Sequence, residues 1–171
     1  MSERTGVITM KGNPLTLVGR EVHLGEAAPD FTALDTALAP VALGAFRGRV
    51  VVIASVPSLD TSVCDLETRR FNEEAARLGS DVRILVLSMD LPFAQKRWCG
   101  AAGAKNVQTL SDHRDAAFGL AYGQLIKELR LLARAVFVVD RQGVLRYIQQ
   151  VKELATEPDY AAVLEAVRQM V

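Results

Sequence analysis

Apolar and polar positions alternate along the chain in blocks that predict strands and helices in turn. Ser62–Leu78 carries apolar residues at helical spacing, and so does the stretch Pro92–Ala102, which Gly103 ends. Before, between and after these helices lie mostly apolar runs whose β-branched composition is typical of strands buried on both faces: Val50–Ser55, Val82–Ser88 and Ala135–Asp140. This order predicts an α/β fold with a mixed central sheet covered by helices on both faces.

Shorter elements flank these runs. The N-terminal segment predicts a β-hairpin, Val7–Met10 and Leu15–Val18, joined by the turn Lys11-Gly12-Asn13-Pro14. The remaining predicted elements are strands at Phe31–Leu34, Val41–Leu43, Val107–Leu110 and Val144–Gln149, a short helix at Asp115–Tyr122, and a last helix capped by Thr156-Glu157-Pro158 with an apolar stripe of Tyr160, Val163, Leu164, Val167 and Val171. No repeat or linker interrupts the pattern, so we expect residues 1–171 to form one domain, with residues 1–24 as a hairpin extension.

Composition narrows the function classes. The chain has 20 Lys and Arg against 20 Asp and Glu, so it lacks the basic excess expected of a nucleic-acid-binding protein. Its apolar runs are too short and too often interrupted by charge for a membrane span, and the N-terminus has no signal-peptide pattern. We therefore expect a cytoplasmic protein without membrane partners, in which the two cysteines are kept as thiols.

The segment PSLDTSVC places one of those cysteines, Cys64, at a turn between a buried strand and a helix. Asp60 or Thr61 is suited to cap the helix, so Cys64 falls in its first turn, where unpaired N–H groups and the helix dipole stabilise an anion such as a thiolate. Pro57 stiffens the approach and shields the thiol from water. The Thr61 hydroxyl lies on the same helical face and is expected to donate to the sulfur or to an oxygen bound beside it.

Other interpretations of these residues remain open at this point. A cysteine is often simply a small buried hydrophobe, and Cys99, on an amphipathic helix, would by itself be assigned to the core. A cysteine hydrolase needs a histidine base, and only His23 and His113 are available. A zinc site or a thioredoxin-like reductase would be expected to show C-x-x-C spacing, which is absent. A redox-sensing adaptor without catalytic turnover is a further alternative.

The segment PSLDTSVC closely resembles the active-site segment of peroxiredoxins, in which proline, threonine or serine, and cysteine stand at these spacings. Further segments resemble the bacterial thiol peroxidase subfamily: Lys11–Pro14, Asp90–Gly103, Leu131–Asp140 and Thr156–Tyr160. The resemblance covers essentially the whole chain and implies a thioredoxin-like fold. By position, Cys64 matches the peroxidatic cysteine and Cys99 the resolving cysteine, while Pro57, Thr61 and Arg134 match the residues that complete the site.

This resemblance implies a thiol-specific peroxidase that converts hydrogen peroxide and organic hydroperoxides to water and alcohols. It implies that the Cys64 thiolate becomes a sulfenic acid, that Cys99 resolves it as an intramolecular disulfide, and that thioredoxin reduces the disulfide. Thr61 and Arg134 are expected to bind the peroxide, and no metal or organic cofactor is required. Since the cysteines fall on separate helices, we expect the first turn around Cys64 and the helix that carries Cys99 to unwind locally when they bond. A homodimer is also implied, with exposed apolar residues such as Leu59, Leu91 and Phe93 at its interface.

Overall fold

The computed structural model describes all 171 residues and places the apolar runs at the centre of a seven-stranded sheet. The strands are β1 (Glu3–Met10), β2 (Asn13–Val18), β3 (Thr32–Leu34), β4 (Pro40–Ala42), β5 (Val50–Ser55), β6 (Val82–Ser88), β7 (Gln108–Ser111), β8 (Leu125–Ile126), β9 (Ala135–Val139) and β10 (Leu145–Gln150). The helices are α1 (Ser62–Leu78), α2 (Pro92–Ala102), α3 (Ala117–Ala121) and α4 (Tyr160–Arg168), and a 3-10 turn spans Leu43–Phe46.

The central sheet is mixed, as predicted. Its strand order is β10-β9-β5-β6-β7-β3-β4, in which β5, β6 and β7 are parallel and the other neighbouring pairs are antiparallel. The N-terminal hairpin of β1 and β2 joins the short strand β8 in a second, three-stranded sheet. That the chain forms one domain with a hairpin extension stays a prediction.

Side chains that alternate along the central strands build one core on each face of the sheet. On one face, Val52, Val86 and Val138 pack with Phe71 of α1 and Val163 of α4, and α2 covers the same side. On the other face, apolar side chains of the strands pack against α3 and the 3-10 turn: Ile53, Leu85, Leu87, Phe137, Phe118 and Phe46. Period-two alternation in strands that are buried on both faces explains why these runs are continuously apolar in the sequence.

The topology brings two distant segments to the same edge of the sheet. Strands β5 and β6 are parallel, so the loops that follow them, which lead into α1 and α2, begin side by side. Strand β9 runs antiparallel to β5, with Ala135 opposite Ser55, so Arg134 lies beside the point at which β5 ends. This register, rather than proximity in sequence, places Arg134 next to the start of α1.

Several predicted boundaries differ from the structure. The last helix is not capped by Thr156-Glu157-Pro158; Asp159 is its N-cap and its carboxylate accepts a hydrogen bond from the Ala162 N–H at 3.1 Å. Val171 lies beyond the end of α4 and is exposed, so it does not continue the apolar stripe. Strand β8 is only two residues long and pairs with β2, and so short an element carries no periodic signal.

Two further elements are shifted by backbone geometry. The predicted helix Asp115–Tyr122 is reduced to Ala117–Ala121, because Ala116 adopts a left-handed conformation with φ of 50°. The predicted strand Val107–Leu110 lies one residue later, at Gln108–Ser111. None of the helices is both long enough and apolar enough to cross a membrane.

Candidate active site

The sulfur of Cys64 is buried at the start of α1. Thr61 is the N-cap in an extended conformation, so Cys64 is the third residue of the helix, and it has no exposed surface. Thr61 caps through its backbone alone, because its side chain makes no capping hydrogen bond. The expected location of Cys64 in the first helical turn is therefore found, and the free N–H groups of that turn favour a negative charge on the sulfur.

Arg134 is the side chain that contacts the Cys64 sulfur. Its Nη2 donates to Sγ at 3.3 Å, and only 2% of the Arg134 side chain is exposed. The Leu154 carbonyl accepts from Nε at 3.0 Å and from Nη2 at 2.9 Å, and Glu67 accepts from Nη1 at 2.5 Å. These four hydrogen bonds fix the plane of the guanidinium, so its positive charge is held against the thiol.

Glu67 is a member of this site that sequence reasoning did not identify. It lies one helical turn after Cys64, is fully buried, and forms an ion pair with Arg134. Burial raises the pKa of Glu67 to about 7, although the Arg134 charge and its hydrogen bond act in the opposite direction. Its Oε1 has no hydrogen-bond partner, so Arg134 is the only group that compensates for the burial of this carboxyl. A glutamate within the buried stripe of Cys64, Thr68 and Phe71 was the available sequence signal.

Glu67 and Cys64 also change the pKa of Arg134. Burial alone would lower the pKa of Arg134, but Glu67 and Cys64 outweigh it and raise that pKa above its usual value. Arg134 is therefore a cation at neutral pH. Glu67 and Cys64 both accept hydrogen bonds from the Arg134 guanidinium, so the two groups share its charge.

Thr61 and Pro57 line a cavity of about 260 Å³, together with Arg134. Most of the other lining side chains are apolar: Met10, Val63, Leu129, Leu131 and Leu154. The Thr61 hydroxyl donates to the Ser58 carbonyl at 2.8 Å, so the hydrogen bond that we expected it to donate to the sulfur is absent. Its oxygen lone pairs can still accept a hydrogen bond from a molecule in the cavity.

Cys99 lies in a different environment. It is half-buried near the end of α2, and its sulfur lies 3.5 Å from the Thr109 hydroxyl on β7. It lines a second cavity of about 360 Å³, together with the basic side chains Arg83, Lys96 and Lys105. Both cysteines are free thiols, so the structure represents the reduced chain.

A hydrogen bond joins the residues that follow Cys64 and precede Cys99. The Trp98 indole Nε1 donates to Asp65 Oδ1 at 2.7 Å, and the other Asp65 oxygen accepts from Arg69 at 2.9 Å. The first turn of α1 and the last turns of α2 are thus in direct contact, although the two sulfurs lie on separate helices.

The histidines do not take part in this site. His113 Nδ1 lies 2.9 Å from the Ser111 hydroxyl, and the hydrogen-bond partner of the Cys64 sulfur is Arg134. A cysteine hydrolase needs an imidazole within hydrogen-bond reach of its nucleophile. The geometry around Cys64 therefore does not fit that alternative.

One predicted surface residue is placed differently from expectation. Leu59 is 3% exposed and packs in the same core as Cys64, so it does not belong to an exposed apolar patch. The loop turns its side chain inward while its N–H donates to Asp90 at 2.8 Å. Leu91 and Phe93, at the start of α2, are 52% and 67% exposed, as predicted.

Known proteins are similar to this chain over most of its length. The family model described as Redoxin matches residues 23–164. A thiol peroxidase from Bacillus subtilis is 55% identical over 164 residues, which cover 96% of this chain and 98% of that protein. A thiol peroxidase from Halalkalibacterium halodurans is 55% identical over 161 residues, which cover 94% of this chain and 96% of that protein.

Solved structures are similar over nearly the whole chain. A peroxiredoxin-like protein from Aquifex aeolicus superposes with a TM-score of 0.91 at 42% identity and covers 98% of each chain. A thiol peroxidase from Chromobacterium violaceum superposes with a TM-score of 0.83 over 95% of each chain; at 20% identity it supports the fold alone.

The fold and these relationships show that the chain belongs to the redoxin family, in its thiol peroxidase group. It is a peroxidase, an oxidoreductase that reduces peroxides, and it has the thioredoxin-like peroxiredoxin fold.

Proposed function

We propose that the chain reduces hydroperoxides through a two-cysteine cycle in which Cys64 is the nucleophile and Cys99 resolves the oxidised sulfur. The observation that carries the proposal is the buried contact between Arg134 and the Cys64 sulfur at a helix N-terminus. A fixed cation and free N–H groups together favour the thiolate, which is the reactive form of cysteine.

In the first step the Cys64 thiolate attacks the terminal oxygen of the hydroperoxide. The S–O bond forms while the O–O bond breaks, so the sulfur becomes a sulfenic acid and the other oxygen leaves as an alkoxide or hydroxide. That anion takes a proton from water to give the alcohol or water. Negative charge moves from the sulfur to the leaving oxygen, so the site must offer donors to both atoms.

Arg134 and Thr61 are the residues that we assign to this task. The guanidinium has five N–H groups and uses four in its hydrogen bonds to Cys64, Glu67 and Leu154, which leaves one on Nη1 for the leaving oxygen. The Thr61 oxygen can accept the peroxide O–H, since its own hydrogen is directed to Ser58. Together they hold the peroxide in line with the sulfur. Pro57 limits the access of water from the cavity wall.

The apolar cavity lining favours organic hydroperoxides among the possible substrates. Leucine side chains around Thr61 and Arg134 can bury an alkyl group, whereas hydrogen peroxide has none to bury. We expect kcat/KM for cumene hydroperoxide to exceed that for hydrogen peroxide. Leu131→Ser should reduce this preference several-fold with little effect on hydrogen peroxide.

In the second step the Cys99 thiol condenses with the sulfenic acid of Cys64. A disulfide forms and water leaves, and thioredoxin then reduces the disulfide by thiol exchange. Cys99 is accessible from its own cavity, which supports its role as the exposed partner of the disulfide. We place this cycle in the reducing cytoplasm. A homodimer that buries the exposed Leu91 and Phe93 is part of the same proposal.

Two single substitutions test the cycle. Cys64→Ser should abolish peroxide reduction, because no other residue of the site supplies a comparable nucleophile. Cys99→Ser should leave the first turnover intact but stop recycling by thioredoxin, so that Cys64 accumulates as sulfenic acid and over-oxidises easily. Unchanged steady-state turnover in either variant would overturn its assigned role. Oxidation of the wild type without sustained turnover would instead indicate a redox sensor.

A further inference from the structure

Asp90 connects the loop that precedes Cys64 with the segment that precedes α2. Its Oδ1 accepts a hydrogen bond from the Ser58 hydroxyl at 2.7 Å. Its Oδ2 accepts from the Leu59 N–H at 2.8 Å and from the Ser88 hydroxyl at 2.7 Å. The loop between β5 and α1 is thus attached to a carboxylate at the end of the neighbouring strand, by hydrogen bonds that are short and assisted by charge.

Ser58 is in turn the residue that orients Thr61. The Ser58 carbonyl accepts from the Thr61 N–H at 3.1 Å and from the Thr61 hydroxyl at 2.8 Å. The position of Ser58 therefore decides where the Thr61 hydrogen points, and hence where its lone pairs remain available. A continuous chain of hydrogen bonds leads from Asp90 through Ser58 to Thr61.

Asp90 is itself held in place on the side away from the loop. Its backbone carbonyl accepts from the Ser111 hydroxyl at 2.5 Å. Gln95 of α2 donates to the Ser88 hydroxyl at 3.1 Å, and that hydroxyl donates to Asp90. The anchor thus belongs to a network between β6, β7 and α2, rather than to the free end of a surface side chain.

We propose that Asp90 is a positioning residue for peroxide binding, which acts by fixing Ser58 and thereby the direction of the Thr61 lone pairs. The proposal rests on the proposed function, because Thr61 must accept the peroxide O–H for its direction to matter. Small errors in the placement of reacting groups lower rates strongly, so loss of the anchor has a measurable cost although Asp90 does not touch the substrate.

The test is a double-mutant cycle with Asp90→Asn and Thr61→Val. The asparagine side chain can keep its oxygen towards Leu59 and Ser88 only by turning its N–H₂ group to the Ser58 hydroxyl. It also loses the charge that strengthens all three hydrogen bonds, so Ser58 is held less firmly. In a Cys99→Ser background, the rate constant for sulfenic acid formation on Cys64 is measured by stopped flow with hydrogen peroxide. We expect Asp90→Asn to lower it about tenfold when Thr61 is present, and less than about twofold in the Thr61→Val variant.

Matched substitutions separate positioning from stability. Asp140 also accepts three hydrogen bonds, from Gln142, Val144 and Arg146, so Asp140→Asn should lower the melting temperature but not the rate constant. Ser58→Ala should reproduce the effect of Asp90→Asn, and Ser88→Ala should have a smaller effect, because only Ser58 leads to Thr61.

Three results would overturn the proposal. They are an equal effect of Asp90→Asn with and without the Thr61 hydroxyl, an unchanged rate constant in Ser58→Ala, and a Thr61→Val variant as fast as the wild type. If Thr61→Val is as fast as the wild type, the two-cysteine cycle is not thereby overturned, because the activity of Cys64→Ser tests it separately.

Discussion

The two cysteines of this chain lie in contrasting surroundings, and the contrast fits the different tasks that we propose for them. Cys64 is fully buried in the first turn of α1, against a guanidinium that is itself buried and held by four hydrogen bonds. Cys99 is half-buried near the end of α2, beside a hydroxyl and an open cavity with basic side chains. The first environment holds a sulfur beside a cation, as the proposed nucleophile requires, and the second keeps a sulfur accessible, as the proposed resolving cysteine requires.

The difference has a physical origin in the helix ends. The N-terminus of α1 adds free N–H groups to the Arg134 charge, so both stabilise an anion at Cys64. Cys99 is three residues from the end of α2. The helix ends at Gly103, which adopts a left-handed conformation with φ of 65° and whose N–H donates a hydrogen bond to the Cys99 carbonyl. Such an end opens more easily than a helix interior. Since Cys64 is fully buried and bound to Arg134, we expect the Cys99 segment to move more than the first turn of α1.

Substitution of Arg134 should change the difference in reactivity between the two cysteines most. Arg134→Gln removes the cation from Cys64, and we expect the rate of sulfenic acid formation to fall by about 10²–10³. The alkylation of Cys99 by a neutral reagent should be unchanged. Stopped-flow oxidation and mass-resolved alkylation measure the two effects.

This substitution also leaves Glu67 buried without its partner, which can cost roughly 3–5 kcal/mol of stability. The double variant Arg134→Gln with Glu67→Gln has no unpaired charge and serves as the folded control. A fast reaction of Cys64 in that double variant would contradict the role of Arg134.

A smaller effect, on the free energy of unfolding, is expected from the titration of Glu67. The pKa of Glu67 is about 7 in the folded chain and 4.5 without burial, so the folded state binds this proton more tightly. Its contribution to stability is full below pH 4.5 and is lost as the pH rises to about 7. Relative to Glu67→Gln, the wild type should therefore lose on the order of 1–3 kcal/mol across this window, as measured by urea unfolding.

The titration of Glu67 should also change the reactivity of Cys64. Above pH 7 the Glu67 carboxylate shares the charge of Arg134, which leaves less for the thiolate. The pH profile of sulfenic acid formation should therefore contain a step near neutral pH that is missing in Glu67→Gln. Parallel profiles for the two proteins, in both rate and stability, would show that Glu67 does not titrate in this range.

The central strands and α1 could be predicted from the sequence, whereas the ion pair that causes these pH effects could not. Continuous apolar runs and helical spacing predicted β5, β6 and α1 with the bounds that the structure shows. The placement of Cys64 followed, because it depends only on a local turn. The Arg134–Glu67 ion pair depends on the register of β9 against β5, which no local pattern reveals.

The directions of individual side chains also could not be predicted from the sequence. The sequence placed Thr61 near the sulfur but could not show that its hydroxyl is directed to the Ser58 carbonyl. Leu59 is a second example, since an apolar residue in a loop is expected at the surface, yet the loop directs this side chain into the core. The cap of α4 lies later than the sequence predicts, because Thr156 and Asp159 are both good N-cap residues and it is Asp159 that accepts an N–H of the first turn.

The smallest effect concerns the contact between the two regions. The hydrogen bond from Trp98 to Asp65 must break if α2 opens to bring Cys99 to Cys64. Trp98→Phe keeps an aromatic ring but removes the donor, so we expect disulfide formation to accelerate about fivefold, which corresponds to roughly 1 kcal/mol. Stopped flow after one equivalent of peroxide measures this step. An unchanged rate would place the limiting motion elsewhere.

The most direct test of the different tasks of Cys64 and Cys99 is peptide mapping by mass spectrometry after one equivalent of hydrogen peroxide. In the wild type we predict a single product, in which the peptide that contains Cys64 is joined by a disulfide to the peptide that contains Cys99. In Cys99→Ser the added oxygen should be found on Cys64 alone. If the oxygen were found on Cys99, or if Cys64 formed disulfides only between chains, the assignment of the two cysteines would be wrong.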